Sequence, residues 1–156
     1  MHIHLIAVGE RMPAWVQTAF EEYAERLPPQ CQLRLREVAA GRRVKGADLV
    51  RLARAEGERL LAAVPKRCRV VALDRTGRAL DTQELAGELK TQLASGDDLA
   101  LLIGGPEGLS AECLARAQAR WSLSRLTLAH PLVRVVVAEQ IYRAWSILGN
   151  LPYHRS

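Results

Sequence analysis

The chain has 156 residues, of which 49% are hydrophobic and 25% are charged. This composition is typical of a soluble globular protein and excludes a disordered or fibrous chain. The length fits a single domain over residues 1–156. No stretch approaches the roughly 20 apolar residues of a membrane span and no secretory signal opens the sequence, so we expect a cytoplasmic protein.

Strand and helix patterns alternate along the first two thirds of the chain. In order they predict a strand at residues 3–8, a helix at 13–27, a strand at 31–38, a helix at 47–64, a strand at 69–73, a helix at 81–93 and a strand at 98–103. The alternating polarity of the second strand places it near a sheet edge. Either Asp81 or Thr82 can cap the third helix. The order predicts an α/β fold, with a mostly parallel sheet and helices on both faces.

The last third of the chain is harder to assign. Residues 121–128 alternate apolar and polar side chains, but this period does not separate a strand from a loop. Residues 132–148 predict a helix that is apolar nearly all round and must be covered on more than one side. In a domain of this size we expect a second subunit to provide part of that cover.

A glycine-rich junction follows the strand at residues 98–103. Gly104, Gly105 and Gly108 allow backbone angles or close approaches that side chains forbid, and open sheets bind ligands beyond the carboxyl ends of their strands. The junction matches neither a P-loop, since Ser110 lacks a preceding lysine, nor the glycine spacing of a dinucleotide site. The residues therefore suggest a small-molecule site, and a ligand-free turn between strand and helix is the alternative.

Basic residues give the chain a formal net charge of +5, which favours a polyanionic partner. The densest patch contains Arg42, Arg43 and Lys45. It is either a nucleic-acid contact or a solvated loop without a partner.

The end of the chain combines Tyr153, His154 and Arg155. An aromatic ring, an imidazole and a guanidinium can together stack on and hydrogen-bond an unpaired base, as proteins do when they bind RNA loops. The alternative is a frayed terminus without a function.

Other candidate groups carry weaker signals. His2 and His4 share one face of a strand, but no third ligand accompanies them in the sequence, so no metal site is expected. Asp74 follows a buried strand, either as a functional carboxylate or as a turn cap. The three cysteines are odd in number and widely spaced, which argues against a disulfide framework. No nucleophile motif favours covalent hydrolysis.

Several motifs spread over the whole chain resemble one family. They are Val-Gly-x-x-Met-Pro-x-Trp-Val at 8–16, Ala-Gly-x-Arg at 40–43, Leu-Leu-Ile-Gly-Gly-Pro-Glu-Gly-Leu-Ser at 101–110, Ser-Leu-Ser-x-Leu-Thr-Leu at 122–128, His-Pro-Leu-Val-Arg-Val at 130–135, Ala-Glu-Gln-Ile-Tyr-Arg-Ala-Trp-Ser-Ile at 138–147 and Pro-Tyr-His-Arg at 152–155. The sequence is similar to the ribosomal RNA large-subunit methyltransferase H family, of the SPOUT class.

This resemblance implies a specific reaction and assembly. It implies methylation of N3 of a pseudouridine in the helix-69 loop of 23S ribosomal RNA with S-adenosylmethionine, by a homodimer with a deep trefoil knot in its C-terminal half. The family's cofactor contacts fall on Leu73, Gly104, Leu123, Ser124, Arg125, Leu126, Thr127 and Leu128. We expect Arg125 to contribute through its backbone at most.

The chemistry of methyl transfer suggests roles for Tyr153, His154 and Arg155, which we call the tail. N3 must lose a proton, so His154 is a candidate base, and Arg155 is placed to stabilise the negative charge on the uracil oxygens. Tyr153 would help to orient the base. A water molecule or a bulk base is the alternative proton acceptor, with the tail only holding the RNA loop. Two other classes of protein stay open: a non-catalytic RNA- or ribosome-binding protein, and a metabolic α/β enzyme for an acidic small molecule.

Overall fold

The computed structural model describes residues 1–154, so Arg155 and Ser156 lie outside the described residues. The strands in this range are β1 (His2–Val8), β2 (Gln32–Val38), β3 (Cys68–Ala79), β4 (Asp98–Ile103) and β5 (Ala119–Ser122). The helices are α1 (Ala14–Ala24), α2 (Leu49–Ala63), α3 (Thr82–Ser95), α4 (Ala111–Arg116) and α5 (His130–Leu148).

The five strands form one sheet in the order β2-β1-β4-β3-β5, and every neighbouring pair is parallel. β1, β4 and the first part of β3, up to Ala72, are largely buried, as expected for strands covered on both faces. β2 lies at an edge and exposes part of its length, as its alternating pattern predicts. The parallel order brings the carboxyl ends of β1, β3 and β4 to one edge of the sheet.

Helices cover both faces of the sheet, which confirms the predicted α/β class. On one face, side chains such as Ile3, Leu5 and Leu101 pack with residues of α1, α3 and α5. On the other face, strand residues pack against Leu60 of α2 and Cys113 of α4. The successive residues of each strand alternate between these two layers, so a single strand contributes to both cores.

Side-chain caps mark the beginnings of α2, α3 and α4. The Asp81 carboxylate accepts a hydrogen bond from the Glu84 amide, and the Glu84 carboxylate accepts one from the Asp81 amide, both at 2.8 Å. Asp81 is therefore the N-cap of α3, and Thr82 is its first helical residue. The Asp48 side chain caps α2 by accepting from the Arg51 amide, and the Ser110 hydroxyl caps α4 by accepting from the Cys113 amide.

The structure differs from the sequence prediction at α4, at β3 and at residues 121–128. Helix α4 was not predicted, because six residues are too few to show a helix period. β3 runs to Ala79 rather than ending at residue 73, because its register against β5 shifts between Leu73 and Arg78. Gly77 allows the extended part of β3 to lie close to β5, because a Cβ at this position would lie 2.7 Å from the Arg120 carbonyl. Residues 121–128, which the sequence left open as strand or loop, contain both. β5 ends at Ser122, and residues 123–129 form neither helix nor strand.

The long helix α5 begins at His130, two residues earlier than its apolar pattern predicts, with Pro131 in its first turn. It packs against both α1 and α3. Leu132 stays 44% exposed, and Trp145 of the same helix is partly exposed. Within residues 1–154, no helix has the length and apolarity needed to cross a bilayer.

Candidate active site

A pocket of about 300 Å³ lies at the carboxyl ends of β3 and β4. We call it the carboxyl-edge pocket. It is lined by Leu73, Asp74, Arg75, Ile103, Gly104, Gly105, Pro106, Ser122, Leu123, Ser124, Leu126, Thr127, Leu128, His130 and Val133. Its position is where open parallel sheets bind ligands, and its size suits a small organic molecule.

The structure brings most of the predicted cofactor residues into this pocket. Leu73 directly follows the buried residues of β3 and is itself half-buried, Gly104 directly follows β4, and the irregular segment after β5 lines a third side of the pocket. Of the run at residues 123–128, only Arg125 is not a lining residue, and it is exposed. Residues separated by up to 55 positions in sequence therefore meet around one cavity.

The glycines of the junction allow the chain to fold tightly on itself. A Cβ on Gly104 would lie 2.4 Å from the carbonyl carbon of Gly108 and 2.7 Å from the Leu109 nitrogen. The Gly108 amide donates to the Gly105 carbonyl at 2.9 Å, and Gly108 has a φ of +81°. The close approach expected at Gly104 is therefore an approach to the loop's own backbone, in addition to any approach to a ligand.

The segment at residues 123–128 lines the pocket and leaves most of its backbone groups without a hydrogen-bond partner among the described residues. The exceptions are the Ser124 carbonyl, which accepts from the Ser122 hydroxyl at 3.0 Å, and the Leu126 amide. Within residues 1–154, the amides and carbonyls of this segment form no backbone–backbone hydrogen bond. Its shape is held by the Ser124 hydroxyl, which accepts from the Leu126 amide at 2.9 Å, and by Arg75, which donates to the Thr127 hydroxyl at 3.3 Å. Unpaired amides and carbonyls beside apolar side chains can recognise the polar edge and the flat faces of a heterocycle.

Charged and titratable side chains also line the pocket, although little in the sequence marked them as site residues. The Asp74 carboxylate, held by the Thr76 hydroxyl, lines it beside Arg75. Burial and the neighbouring Arg134 guanidinium lower the pKa of His130. Asp74 could be suspected from its place after a buried strand, whereas no residue spacing marked His130.

The patch that contains Arg42, Arg43 and Lys45, which we call the basic loop, reaches the rim of the carboxyl-edge pocket through Arg43. Its guanidinium donates to Glu56 of α2 and to Glu107 of the glycine-rich junction. We call this group the Arg43 bridge. The Glu56 side chain is only 2% exposed and also accepts from the Gly41 amide at 2.8 Å. The bridge therefore ties the basic loop to α2 and to the rim of the carboxyl-edge pocket.

The ion pairs of the Arg43 bridge keep both carboxylates charged. Burial alone would raise the pKa of Glu56, but the hydrogen bonds from Arg43 and Gly41 outweigh it and lower that pKa. The hydrogen bond from Arg43 lowers the pKa of Glu107. Arg43 is thus engaged within the chain, whereas Arg42 and Lys45 are exposed and form no ion pair within the described range.

The predicted catalytic tail lies elsewhere on the same subunit. The Tyr153 hydroxyl donates to Glu139 at 2.9 Å, and the His154 Nδ1 lies 3.3 Å from the Ser146 hydroxyl. Burial and the bond to Glu139 raise the pKa of Tyr153 to about 12, so its hydroxyl is protonated at neutral pH. Arg155 lies outside the described residues.

This placement separates the tail from the pocket of its own subunit. The tail lies beside the second half of α5, whereas His130 and Val133 at the start of α5 line the pocket. Along a helix that rises about 1.5 Å per residue, Val133 and Ser146 are about 20 Å apart. The structure therefore does not bring Tyr153 and His154 together with the predicted cofactor residues in one subunit.

A parallel α/β sheet with a ligand-sized pocket at its carboxyl edge defines the class of small-molecule-binding α/β proteins. Comparison with known proteins narrows this class. The family described as "Predicted SPOUT methyltransferase" matches residues 1–154. The chain belongs to this SPOUT methyltransferase family, which confirms the resemblance found in the sequence motifs.

Two curated relatives extend over nearly the whole chain. "Ribosomal RNA large subunit methyltransferase H" of Thioalkalivibrio sulfidiphilus (strain HL-EbGR7) is 61% identical over 155 residues, with 99% of each chain covered. The protein of the same name from Methylococcus capsulatus (strain ATCC 33009 / NCIMB 11132 / Bath) is 54% identical over 155 residues, with 99% of this chain and 100% of the relative covered.

Proposed function

We propose that this protein transfers a methyl group from S-adenosylmethionine to 23S ribosomal RNA, at N3 of a pseudouridine in the helix-69 loop. The family and the names of the two relatives support methylation of large-subunit ribosomal RNA. The observation that carries the cofactor assignment is the carboxyl-edge pocket, in which seven of the eight expected contact residues meet.

The donor groups of the pocket fit S-adenosylmethionine. Leucine side chains and unpaired backbone groups of residues 123–128 suit the faces and the polar edge of an adenine ring. The Asp74 carboxylate offers a negative charge to a cationic ligand. Leu73, Gly104, Leu123, Ser124 and Leu126–Leu128 would hold the cofactor. When bound, S-adenosylmethionine supplies a methyl group already activated on a sulfonium.

The protein must then orient the acceptor nitrogen, exclude water and accept its proton. Orientation of two reactants in a dry site contributes up to roughly 7 to 11 kcal/mol in favourable intramolecular reactions. In this proposal Tyr153 stacks on or beside the target base, His154 accepts the N3 proton, and Arg155 stabilises the negative charge that forms on the uracil oxygens. The protonated hydroxyl of Tyr153 makes it a positioning group rather than a base.

A homodimer would bring the tail and the pocket together. α5 exposes apolar side chains, and the tail lies about 20 Å from the pocket of its own subunit, measured along that helix. In a two-fold dimer with antiparallel α5 helices, the second half of one helix lies beside the first half of the other. The tail of each subunit would then complete the pocket of its partner.

Electrostatic attraction would guide the RNA to this site. Arg42 and Lys45 are exposed and can approach phosphates, and Tyr153, His154 and Arg155 would contact the target loop. Arg43 would contribute less charge to RNA, because two carboxylates already bind its guanidinium. The cytoplasmic location and the trefoil knot stay predictions.

Equilibrium binding tests the proposal against the two alternative classes. Isothermal titration should detect S-adenosylmethionine binding by the wild-type protein, and Leu128→Glu, which places a carboxylate in the apolar wall, should abolish it. A folded wild-type protein without this affinity would favour a non-catalytic RNA-binding protein. Affinity for the cofactor without salt-sensitive binding to ribosomal RNA would favour a metabolic enzyme.

A further inference from the structure

Three potential metal ligands meet at the sheet edge opposite the carboxyl-edge pocket. His2 and His4 lie two residues apart on one face of β1, and Asp98 begins the adjacent parallel strand β4. Their donor atoms all lie within 4.8 Å of one another. The sequence showed no third ligand, because Asp98 is 96 positions from His2 and only the β1–β4 pairing brings it close.

The separations of these atoms suit a small tetrahedral ion. The Asp98 Oδ2 lies 3.0 Å from His4 Nε2 and 3.6 Å from His2 Nδ1. In a tetrahedral zinc site with bonds of about 2.0 to 2.1 Å, adjacent ligand atoms are about 3.3 to 3.4 Å apart. The two observed distances bracket this value, and all three donor atoms lie within 4.8 Å of one another.

The backbone already orients the carboxylate for such a role. The His2 amide donates to Asp98 Oδ1 at 2.9 Å, which leaves Oδ2 directed at the two imidazoles. A hydrogen bond of this type to the outer oxygen of a ligating carboxylate is common in metal sites.

The same three side chains are also accessible from solvent. Their exposed fractions are 38% for His2, 17% for His4 and 28% for Asp98. An ion could therefore enter without unfolding the sheet, and a water molecule could complete the coordination. Two rigid, hydrogen-bonded strands hold the ligands, so binding would cost little ordering of the chain.

We propose that His2, His4 and Asp98 form a binding site for Zn²⁺ or a similar borderline divalent metal ion. Two imidazoles and one carboxylate are ligands that such ions prefer, whereas Mg²⁺ and Ca²⁺ prefer oxygen alone. The ion would link the beginning of β1 to the beginning of β4 and stabilise the folded state by preferential binding. It would take no part in methyl transfer, because it lies at the opposite edge of the sheet.

Metal titration of the apo protein tests this site. Isothermal titration should show one Zn²⁺ per chain, and Zn²⁺ should raise the thermal unfolding temperature, while Mg²⁺ should do neither. His4→Gln and Asp98→Asn should each weaken Zn²⁺ binding by at least about tenfold, the lower limit for losing even an outer-shell partner. Asp97→Asn, which changes the adjacent exposed carboxylate, is the matched control and should bind like the wild type.

Cobalt provides a second measurement on the same variants. Co²⁺ bound to the wild type should show the visible absorption of a tetrahedral complex, and Asp98→Asn should lose it. Thermal unfolding of the metal-free proteins shows whether each variant is folded. If a variant does not fold, His2→Gln is used in its place. Absence of Zn²⁺ binding by the folded wild type, or unchanged binding by folded Asp98→Asn, would overturn the proposal and leave a metal-free hydrogen bond between His4 and Asp98.

Discussion

The guanidinium of Arg43 joins the basic loop to Glu107 in the glycine-rich junction, directly after the pocket residue Pro106. The same guanidinium binds the buried Glu56, so the junction is anchored to α2 through one side chain. Arg43, which the sequence suggested as an RNA contact, is therefore part of the support of the carboxyl-edge pocket.

The first prediction follows from this anchor. Glu107→Gln removes the charge that holds the junction, and a hydrogen bond to a charged group contributes about 1.5 to 3 kcal/mol. We expect S-adenosylmethionine to bind about tenfold more weakly, which corresponds to about 1.4 kcal/mol. Isothermal titration measures this, with Glu112→Gln as the control at a more exposed ion pair. Equal affinities of Glu107→Gln and wild type would show that the bridge does not position the pocket.

The second prediction separates Arg43 from its neighbours in RNA binding. Changing both Arg42 and Lys45 to alanine removes two exposed charges, so the slope of log K against log salt should fall by about 1.4 to 1.8. Cofactor affinity should not change. Arg43→Ala should lower the slope by less than the double variant does, and it should weaken S-adenosylmethionine binding. A slope unaltered by the double variant would mean that the loop is only solvated.

The third prediction concerns acid stability. The pKa of Glu56 is lowered in the folded protein from an ordinary value of 4.5. Its contribution is therefore fully present above about pH 4.5 and is lost as the pH falls through the folded-state pKa. Glu56→Gln should lower the free energy of unfolding by about 1.5 to 3 kcal/mol at pH 7 and by less at pH 3.

Urea unfolding between pH 7 and pH 3 measures this difference. Glu58→Gln, on the exposed side of the same helix, is the matched control and should follow the wild type. If the difference in the free energy of unfolding between Glu56→Gln and wild type were the same at every pH in this range, the charged Glu56 of the Arg43 bridge would not be the source of the stabilisation.

The fourth prediction tests whether the tail acts on the partner subunit. Truncation after Pro152 and the variant Leu128→Glu should each be inactive, the first without a tail and the second without a cofactor site. When the two chains are mixed and allowed to exchange subunits, methyl transfer should reappear, because the intact tail of one chain meets the intact pocket of the other. Sedimentation should show dimers throughout.

Two outcomes would count against this arrangement. Activity that does not recover in mixed dimers would place the tail's action within its own subunit, and a folded, active monomer would remove the need for a partner. His154→Ala addresses the proton acceptor separately, since a general base contributes roughly 100- to 10,000-fold. A loss below about tenfold would leave His154 as a positioning residue.

The sequence predicts the architecture well because short-range patterns determine it. Apolar runs, helix periods and a cap at Asp81 or Thr82 predict the order of the elements from β1 to β4, and that order leads to a parallel sheet. The short helix α4 was not predicted. The extension of β3 could not be predicted, because it depends on Gly77 lying against the Arg120 backbone. The division of residues 121–128 depends equally on where the pairing with β3 stops.

The candidate sites were predictable to different degrees. Gly104 was recognisable from glycine chemistry, but the backbone that it approaches is that of Gly108. The role of Arg43 was hidden, because Glu107 is 64 positions away in the sequence. Asp98 was missed as a partner of His2 for the same reason. Side chains that act through long-range contacts leave no local period, so only the folded chain reveals them.

Methyl transfer to ribosomal RNA is the central claim, and mass spectrometry of the RNA tests it most directly. Free 23S ribosomal RNA, isolated large subunits and whole ribosomes without the modification are each incubated with S-adenosylmethionine and the wild-type protein or Leu128→Glu. With the wild type, at least one substrate should gain one methyl group on a pseudouridine of the helix-69 fragment, and with Leu128→Glu none should. Unmodified helix 69 in all three substrates, from a wild-type protein that binds the cofactor, would contradict the claim.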